Sequence, residues 1–226
     1  MFKNKKIMII GGSGALGKTL IKKNYDENDI LVFSRDEHKH FFLEKDFKNL
    51  SFMIGDVREK RAIMRAFKSF NPEIVVNASA LKHVTICEKN PIESVKTNIL
   101  GNQNLLDCLT DSNHKIETLI FTATDKACKP INVYGMCKAI SEKIYMNYAE
   151  KNKDTKIVLL RYGNVLESTA SLIPFFKELL IRGSKKLPIT HRDMTRFFMT
   201  LDGATKLIEW AYHNPKSHGK IAIPKI

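Results

Sequence analysis

Seven consecutive residues, Gly11-Gly12-Ser13-Gly14-Ala15-Leu16-Gly17, restrict what this chain can become more than any other stretch. They satisfy G-x-x-G-x-x-G through Gly11, Gly14 and Gly17, and G-x-G-x-x-G through Gly12, Gly14 and Gly17. A glycine pattern alone says little. This one follows the apolar run Lys6–Ile10 and opens the amphipathic stretch Leu16–Tyr25. In that context glycines admit a tight turn, and the free amides of a helix N-terminus meet a pyrophosphate. A turn that only packs helix on strand is the plainer alternative, and the flanking elements weigh against it.

Downstream, short β-branched runs alternate with longer stretches of helical period. Strands are expected at Lys6–Ile10, Ile30–Ser34, Ser51–Ile54, Ile74–Asn77, Thr118–Thr122 and Ile157–Tyr162, with helices such as Leu16–Tyr25, Arg58–Phe70 and Glu93–Leu109 between them. Because these strands are apolar throughout rather than alternating, both faces of their sheet must be covered. The fold class predicted is α/β, a doubly wound parallel sheet. After Tyr162 the character changes, with Pro174, Pro188 and Pro215, one helix around Phe175–Ile181 and a last strand-like run, Lys220–Pro224. The length of 226 residues suits a single hydrophobic core.

Lys and Arg number 37 against 24 Asp and Glu, a formal net charge of +13. Such an excess suits nucleic acid, an anionic membrane face or a phosphate-bearing small molecule. No basic motif interleaved with aromatics appears, which makes nucleic acid the least favoured of these. The first apolar run stops at Gly11, short of a signal peptide, and no stretch reaches the about 18 apolar residues of a membrane span. Cys87, Cys108, Cys128 and Cys137 form no C-x-x-C pair, and His38, His40, His191, His213 and His218 have no ligand spacing. The expectation is a reduced, cytoplasmic protein without metal, disulfide or membrane insertion. Asn77-Ala78-Ser79 fits a glycosylation sequon but falls in an expected buried strand.

The end of the second strand reports on the dinucleotide, because an acid about 20 positions after the glycines would bind the ribose 2′-hydroxyl of NAD. Here the order is Ser34-Arg35-Asp36, a hydroxyl and a guanidinium before the acid. Arg35 can neutralise a 2′-phosphate and stack on adenine, which favours NADP over NAD, while Asp36 stands close enough to serve NAD instead. After the third strand, Asp56 of Gly55-Asp56-Val57 is placed to reach the adenine edge or to cap the helix Arg58–Phe70.

Tyr134-Gly-Met-Cys-Lys138 puts a phenol and an ammonium on one helix face. There the lysine cation is expected to lower the phenol's pKa and make it a base for a hydroxyl proton. A second Y-x-x-x-K, Tyr212 to Lys216, is taken out of any helix interior by Pro215. Tyr134 instead follows the strand Thr118–Thr122 and the segment Ala123-Thr124-Asp125-Lys126-Ala127. That segment stands at the carboxyl end of a strand, where open α/β sheets bind ligands.

The run Thr124-Asp125-Lys126, then Pro130 and Tyr134-x-x-x-Lys138, resembles the extended short-chain dehydrogenase/reductases, a Rossmann-fold family. Within them it is similar to the inverting UDP-N-acetylglucosamine 4,6-dehydratases of polysaccharide biosynthesis. The likeness extends over Ala80–Val84, Glu88, Asn90-Pro91, Lys96-Thr-Asn98, Gly101, Arg161–Val165, Pro174–Phe176, Leu187–Thr190, Met194–Phe197 and Pro224–Ile226. What the resemblance implies is an internal redox reaction through bound NADP. Tyr134, assisted by Lys138 and Thr124, would deprotonate the sugar's C4 hydroxyl. Lys126 would remove the C5 proton, and Asp125 would protonate the departing C6 hydroxyl. The cofactor-contacting set becomes Gly11 to Gly17, Ser34, Arg35, Asp36, Asp56, Val57, Ala78, Lys82, Thr122, Tyr134 and Lys138. Lys82, Asn164 and Arg196 would meet the UDP-sugar. A homo-oligomer is also implied.

The resemblance divides the chain into residues 1–165, an NADP-binding part carrying the catalytic residues, and 166–226, a partial substrate-binding region on the same core. Relatives run further, and the loop Leu166–Ser171 has Thr169 where a phosphate-facing arginine is expected. Asp193 stands where an arginine is common, and Ala123 where a serine is. These departures sustain a second reading, a non-catalytic NADP-binding regulatory or scaffolding domain.

Overall fold

The computed structural model describes residues 2–166, 168 and 171–225. Six strands, β1 (Lys6–Ile10), β2 (Asp29–Ser34), β3 (Ser51–Ile54), β4 (Ile74–Asn77), β5 (Thr118–Thr122) and β6 (Lys156–Leu160), carry the apolar runs. Alternate residues of each serve opposite faces. Met8 and Ile10 of β1 join one core with Leu31, Phe33, Val75, Leu119, Phe121, Ile157 and Leu159. Ile7 and Ile9 join a second with Ile30, Val32, Ile74, Val76, Ile120, Val158 and Leu160. Burial on both sides selects apolar residues along the strands, which read as continuous apolar runs for that reason.

All strands of the main sheet run parallel in the order β3-β2-β1-β4-β5-β6, with β9 (Ile221–Ala222) added beyond β6. On the second core's face lie α1 (Ala15–Asn24), α2 (Glu37–Asp46) and α9 (Leu201–His213), contributing Leu20, Ile21, Leu43, Ile208 and Ala211. The first core is closed by α3 (Lys60–Phe70), α6 (Gly101–Asp111) and α7 (Val133–Lys151), through Ile63, Phe67, Leu105, Leu106 and Tyr145. Two short helices, α4 (Val84–Lys89) and α5 (Pro91–Val95), precede a π turn over Lys96–Leu100. A two-residue ladder of β7 (Asn164–Val165) and β8 (Phe198–Met199) flanks α8 (Leu172–Ile181), none of whose residues is fully buried.

The doubly wound parallel sheet agrees with the sequence reading, and the differences are local. The expected strand Ile157–Tyr162 ends at Leu160, because the Tyr162 carbonyl turns to accept from Asp125 N at 3.0 Å. The terminal run keeps only Ile221 and Ala222 in register, against Leu159 and Leu160. The expected helix Glu93–Leu109 is present within a continuous helical run from Pro91 to Asp111, which widens into a π turn at Lys96–Leu100. The sequence reading proposed no helix at α2, α4 or α9. Helix α9 is capped by Thr200, whose hydroxyl accepts from Gly203 N at 3.0 Å, and it buries Ala204, Thr205, Ile208 and Ala211, a stripe too small and too polar to stand out. All four cysteines are free thiols, three of them buried. No helix among the described residues is long and apolar enough to cross a membrane, and none of their His, Cys, Asp and Glu side chains form a group of three fit for a metal ion.

Candidate functional site

The strand order reverses at β1, and a cleft of about 1080 Å³ opens there, along the carboxyl ends of β1, β2, β4, β5 and β6. An open α/β sheet binds ligands at this point, because adjacent crossovers leave the sheet in opposite directions. Its floor is the glycine loop. Gly11 has φ +76° and lies against the backbone of Ala78 and Ser79, so only glycine suits the turn. A Cβ on Gly17 would fall inside the backbone of Gly12. Gly14 caps α1 with no side chain on the first-turn amides and no acid in that turn. Those amides face the cleft with the positive end of the helix dipole, which fits a pyrophosphate.

Side chains from β2 and α2 form the cleft's far end. Ser34 Oγ lies 3.0 Å from Ser13 Oγ and 2.7 Å from His40 Nε2. Arg35 is about half exposed, with Nη1 3.6 Å from Asp56 Oδ2. Asp36 caps α2 by accepting from Lys39 N at 3.1 Å, and Lys39 Nζ pairs with its carboxylate at 2.6 Å, holding that carboxyl below the ordinary value. Lys39 lines the cleft beside Arg35, which the sequence reading missed. Its signal is D-x-x-K at a helix start, easily taken for a solvated pair.

Asp56 is buried and does not cap α3, whose N-cap is Glu59. Its carboxylate instead accepts from Arg58 N at 2.9 Å and from Arg58 Nε at 2.8 Å. Burial works to raise its pKa, and the Arg58 hydrogen bonds with the nearby guanidinium charges more than offset that, leaving it below the usual carboxylate value.

At the opposite end, β5 delivers Thr122 and then a short turn, Asp125–Ala127, capped by Thr124. Thr124 Oγ1 donates to Asp125 Oδ1 at 2.9 Å. Lys126 Nζ donates to the same carboxylate oxygen at 3.1 Å and to Asn164 Oδ1 at 2.9 Å. Asn132 caps α7 by accepting from Gly135 N at 2.8 Å, which sets Tyr134 in the first turn facing this cluster. Lys138, one turn on, is buried; its Nζ donates to Thr122 O at 2.8 Å and sits 4.4 Å over the Phe121 ring.

The expectation that Lys138 lowers the Tyr134 phenol is overturned. Burial pushes Tyr134 well above the ordinary phenol value, neighbouring Tyr162 adds to this, and a hydrogen bond with Thr124 only partly opposes it. The lysine itself is pushed down to about 7 by burial, against the charge of Glu142. Sequence spacing places both groups on one face but carries no information on desolvation, which dominates here. Behind Lys138, Glu142 is 3% exposed and bonded through both oxygens by Arg161 Nε, at 3.0 Å, and Nη2.

The cleft gathers Gly11, Ser13 to Gly17, Ser34, Arg35, Asp36, Asp56, Val57, Ala78, Lys82, Thr122, Thr124, Lys126, Tyr134, Lys138 and Asn164. Gly12 lies beneath the loop, and Asp125 stands just behind Lys126 and Thr124. Arg196 is not brought in: it is exposed, with Nη1 donating to the neighbouring Thr195 carbonyl. Thr169 lies outside the described residues. Asn98, in the π turn, binds both the amide and the carbonyl of Leu81 at 2.9 and 2.8 Å, fixing the loop that carries Lys82. A fixed cation–carboxylate pair, a buried phenol and a buried amine at one mouth can move protons in more than one step.

Residues 7–226 match the family described as polysaccharide biosynthesis protein. The UDP-N-acetylglucosamine 4,6-dehydratase (inverting) of Campylobacter jejuni strain 81-176 is 41% identical over 233 residues, covering 100% of this chain and 68% of the relative. A UDP-glucose 4-epimerase of Rickettsia rickettsii is 37% identical over 235 residues, covering 100% and 67%. The solved structure of Pen from Bacillus thuringiensis superposes with a TM-score of 0.92 at 34% identity, covering 100% of this chain and 70% of that one.

Proposed function

The chain belongs to the family of polysaccharide biosynthesis proteins, and from that membership we propose that it is an NADP-dependent nucleotide-sugar 4,6-dehydratase acting on UDP-N-acetylglucosamine. The single observation that carries this reading is the Asp125–Lys126–Asn164 cluster beside Tyr134. A simple oxidation or epimerisation at C4 needs one base at the hydroxyl. Loss of water across C5 and C6 needs a further base and acid held together, and Lys126 with Asp125 supplies them.

Tyr134, in its phenolate form, would take the C4 hydroxyl proton, and the positively charged nicotinamide of bound NADP would favour that form against the effect of burial. Bound NADP would supply the hydride acceptor at C4 and the hydride donor at C6, the addition at C6 being completed by a proton returned to C5. The 4-ketone acidifies C5–H; once a proton has passed across the 3.1 Å contact from Lys126 Nζ to Asp125, Lys126 takes the C5 proton and Asp125 protonates the departing C6 hydroxyl. Asn164 fixes the Lys126 amine through the transfer. Preference for NADP is supported by Arg35 and Lys39, two cations beside Ser34 at the end of β2.

Cofactor binding without turnover is a second reading, favoured by the position of Arg196 outside the cleft. Incubation of the protein with UDP-N-acetylglucosamine and NADP decides: a 4-keto-6-deoxy product supports the dehydratase. A 4-epimer retaining its C6 hydroxyl points to an epimerase, and binding without product to the second reading.

A further inference from the structure

The cleft's far end holds one imidazole, His40, that the proposed chemistry does not use. His40 is 6% exposed on the first turns of α2, its backbone N–H bonded to Asp36 O at 3.2 Å and its ring against Phe52 at 5.2 Å between centroids. Its Nε2 lies 2.7 Å from Ser34 Oγ, which in turn lies 3.0 Å from Ser13 Oγ. Both serines line the cleft, together with Arg35, Asp36 and Lys39.

We propose that His40 is a specificity-positioning residue, which turns the Ser34 hydroxyl outward as a hydrogen-bond donor and so selects the adenosine 2′-phosphate over a 2′-hydroxyl. The inference rests on the NADP reading of this end of the cleft. A serine hydroxyl has one hydrogen and two lone pairs. If His40 accepts that hydrogen, Ser34 offers the cleft only lone pairs, which repel a phosphate. If Nε2–H donates, the Ser34 hydrogen is released from the ring, and with Ser13 donating to Ser34 it can turn to an acceptor in the cleft. A phosphate can only accept from Ser34, so the second arrangement is the one it requires. A ribose 2′-hydroxyl both donates and accepts, and it tolerates either.

Charge does not supply this selection by itself. Burial pushes His40 below the ordinary imidazole value, against the pull of Asp36, so near neutral pH the ring acts through the direction of its one N–H. Arg35 and Lys39 attract the phosphate, and His40 with Ser34 gives the attraction an oriented donor.

The test is the dissociation constant of NADP and of NAD, by calorimetry, for the unmodified chain, H40L, H40Q, S34A and the S34A/H40L double variant. H40L is expected to weaken NADP about tenfold, the usual worth of one hydrogen bond to a charged group, and to leave NAD within about twofold. NAD affinity therefore serves as the check that H40L is folded. H40Q, whose amide N–H can donate from a similar position, should recover most of the NADP affinity. In the S34A background, H40L should add no further loss. Equal weakening of both dinucleotides by H40L, or a full additional loss on top of S34A, reduces His40 to packing and overturns the inference. If the unmodified chain binds NAD as tightly as NADP, the 2′-phosphate reading itself falls, and this inference with it.

Discussion

Lys126 and Asn164, 38 residues apart in the chain, meet at 2.9 Å through the lysine ammonium and the amide oxygen. The same ammonium lies 3.1 Å from Asp125 Oδ1. Two elements, the turn after β5 and the small β7–β8 ladder, are thereby tied to one amine. Because the three groups share one geometry, removing any of them tests the elimination separately from the redox step.

Lys126→Ala should slow turnover of UDP-N-acetylglucosamine by about 10²–10⁴-fold, the usual worth of general acid–base catalysis. Hydride taken from C4 cannot be returned until water has left C6, so the reduced cofactor should accumulate on the enzyme, visible by its absorbance. Normal turnover would make Lys126 an ordinary surface lysine.

Tyr134→Phe should cost a similar factor of about 10²–10⁴ with the opposite signature. Without the C4 base no ketone forms, and no reduced cofactor should appear in a single-turnover trace. Accumulation equal to that of Lys126→Ala would remove Tyr134 from the role.

Arg35→Asp should abolish or reverse the preference for NADP, and Lys39→Ala should weaken NADP about tenfold while sparing NAD. Competitive titration of the two dinucleotides checks both. A preference unchanged in Arg35→Asp would place the 2′-phosphate elsewhere.

Lys138 gives a pH dependence of stability with a definite sign. Its folded pKa, about 7, lies below its unfolded value, so between those pH values the unfolded chain holds the proton and the folded chain does not. Stability on this group's account therefore rises as pH climbs through 7 toward the unfolded value. Lys138→Met should flatten that rise between pH 7 and about 9 in urea denaturation of the unliganded protein. An unchanged slope would show that the amine is not desolvated in solution.

Arg161→Met should destabilise by about 3–5 kcal/mol, because it strands the buried Glu142 carboxylate. Adding Glu142→Leu should restore most of the loss by denaturant midpoint. Full stability in the single variant would mean that water reaches Glu142.

The sheet was legible in the sequence because two-sided burial leaves a uniform mark: Ile7–Ile10, Ile74–Val76 and Ile157–Leu160 contain no polar residue to blur it. Gly11 and Gly17 were legible for a related reason, since no other residue fits where they sit. Helix α9 was not, because Ala204 and Ala211 are small enough to look indifferent to burial. The placement of Tyr134 and Lys138 on one helix face followed from spacing, and that of Thr124 beside them from the family resemblance, while the upward shift of the phenol followed from neither. Desolvation belongs to the assembled protein, and no local pattern encodes it. Lys39 went unremarked and His40 was weighed only as a metal ligand, because no helix was expected at α2. Their relation to Ser34 exists only once β2 and α2 are folded together.

The outer edge of β6 is closed by just two residues, Ile221 and Ala222, paired with Leu159 and Leu160. During synthesis those two leave the ribosome long after β6 itself. For that interval the nascent chain carries an almost complete sheet with one apolar strand open along its side, the kind of edge that recruits other chains. Closing it depends on a very short strand far along the chain from β6, so that edge stays open until Ile221 and Ala222 have been made.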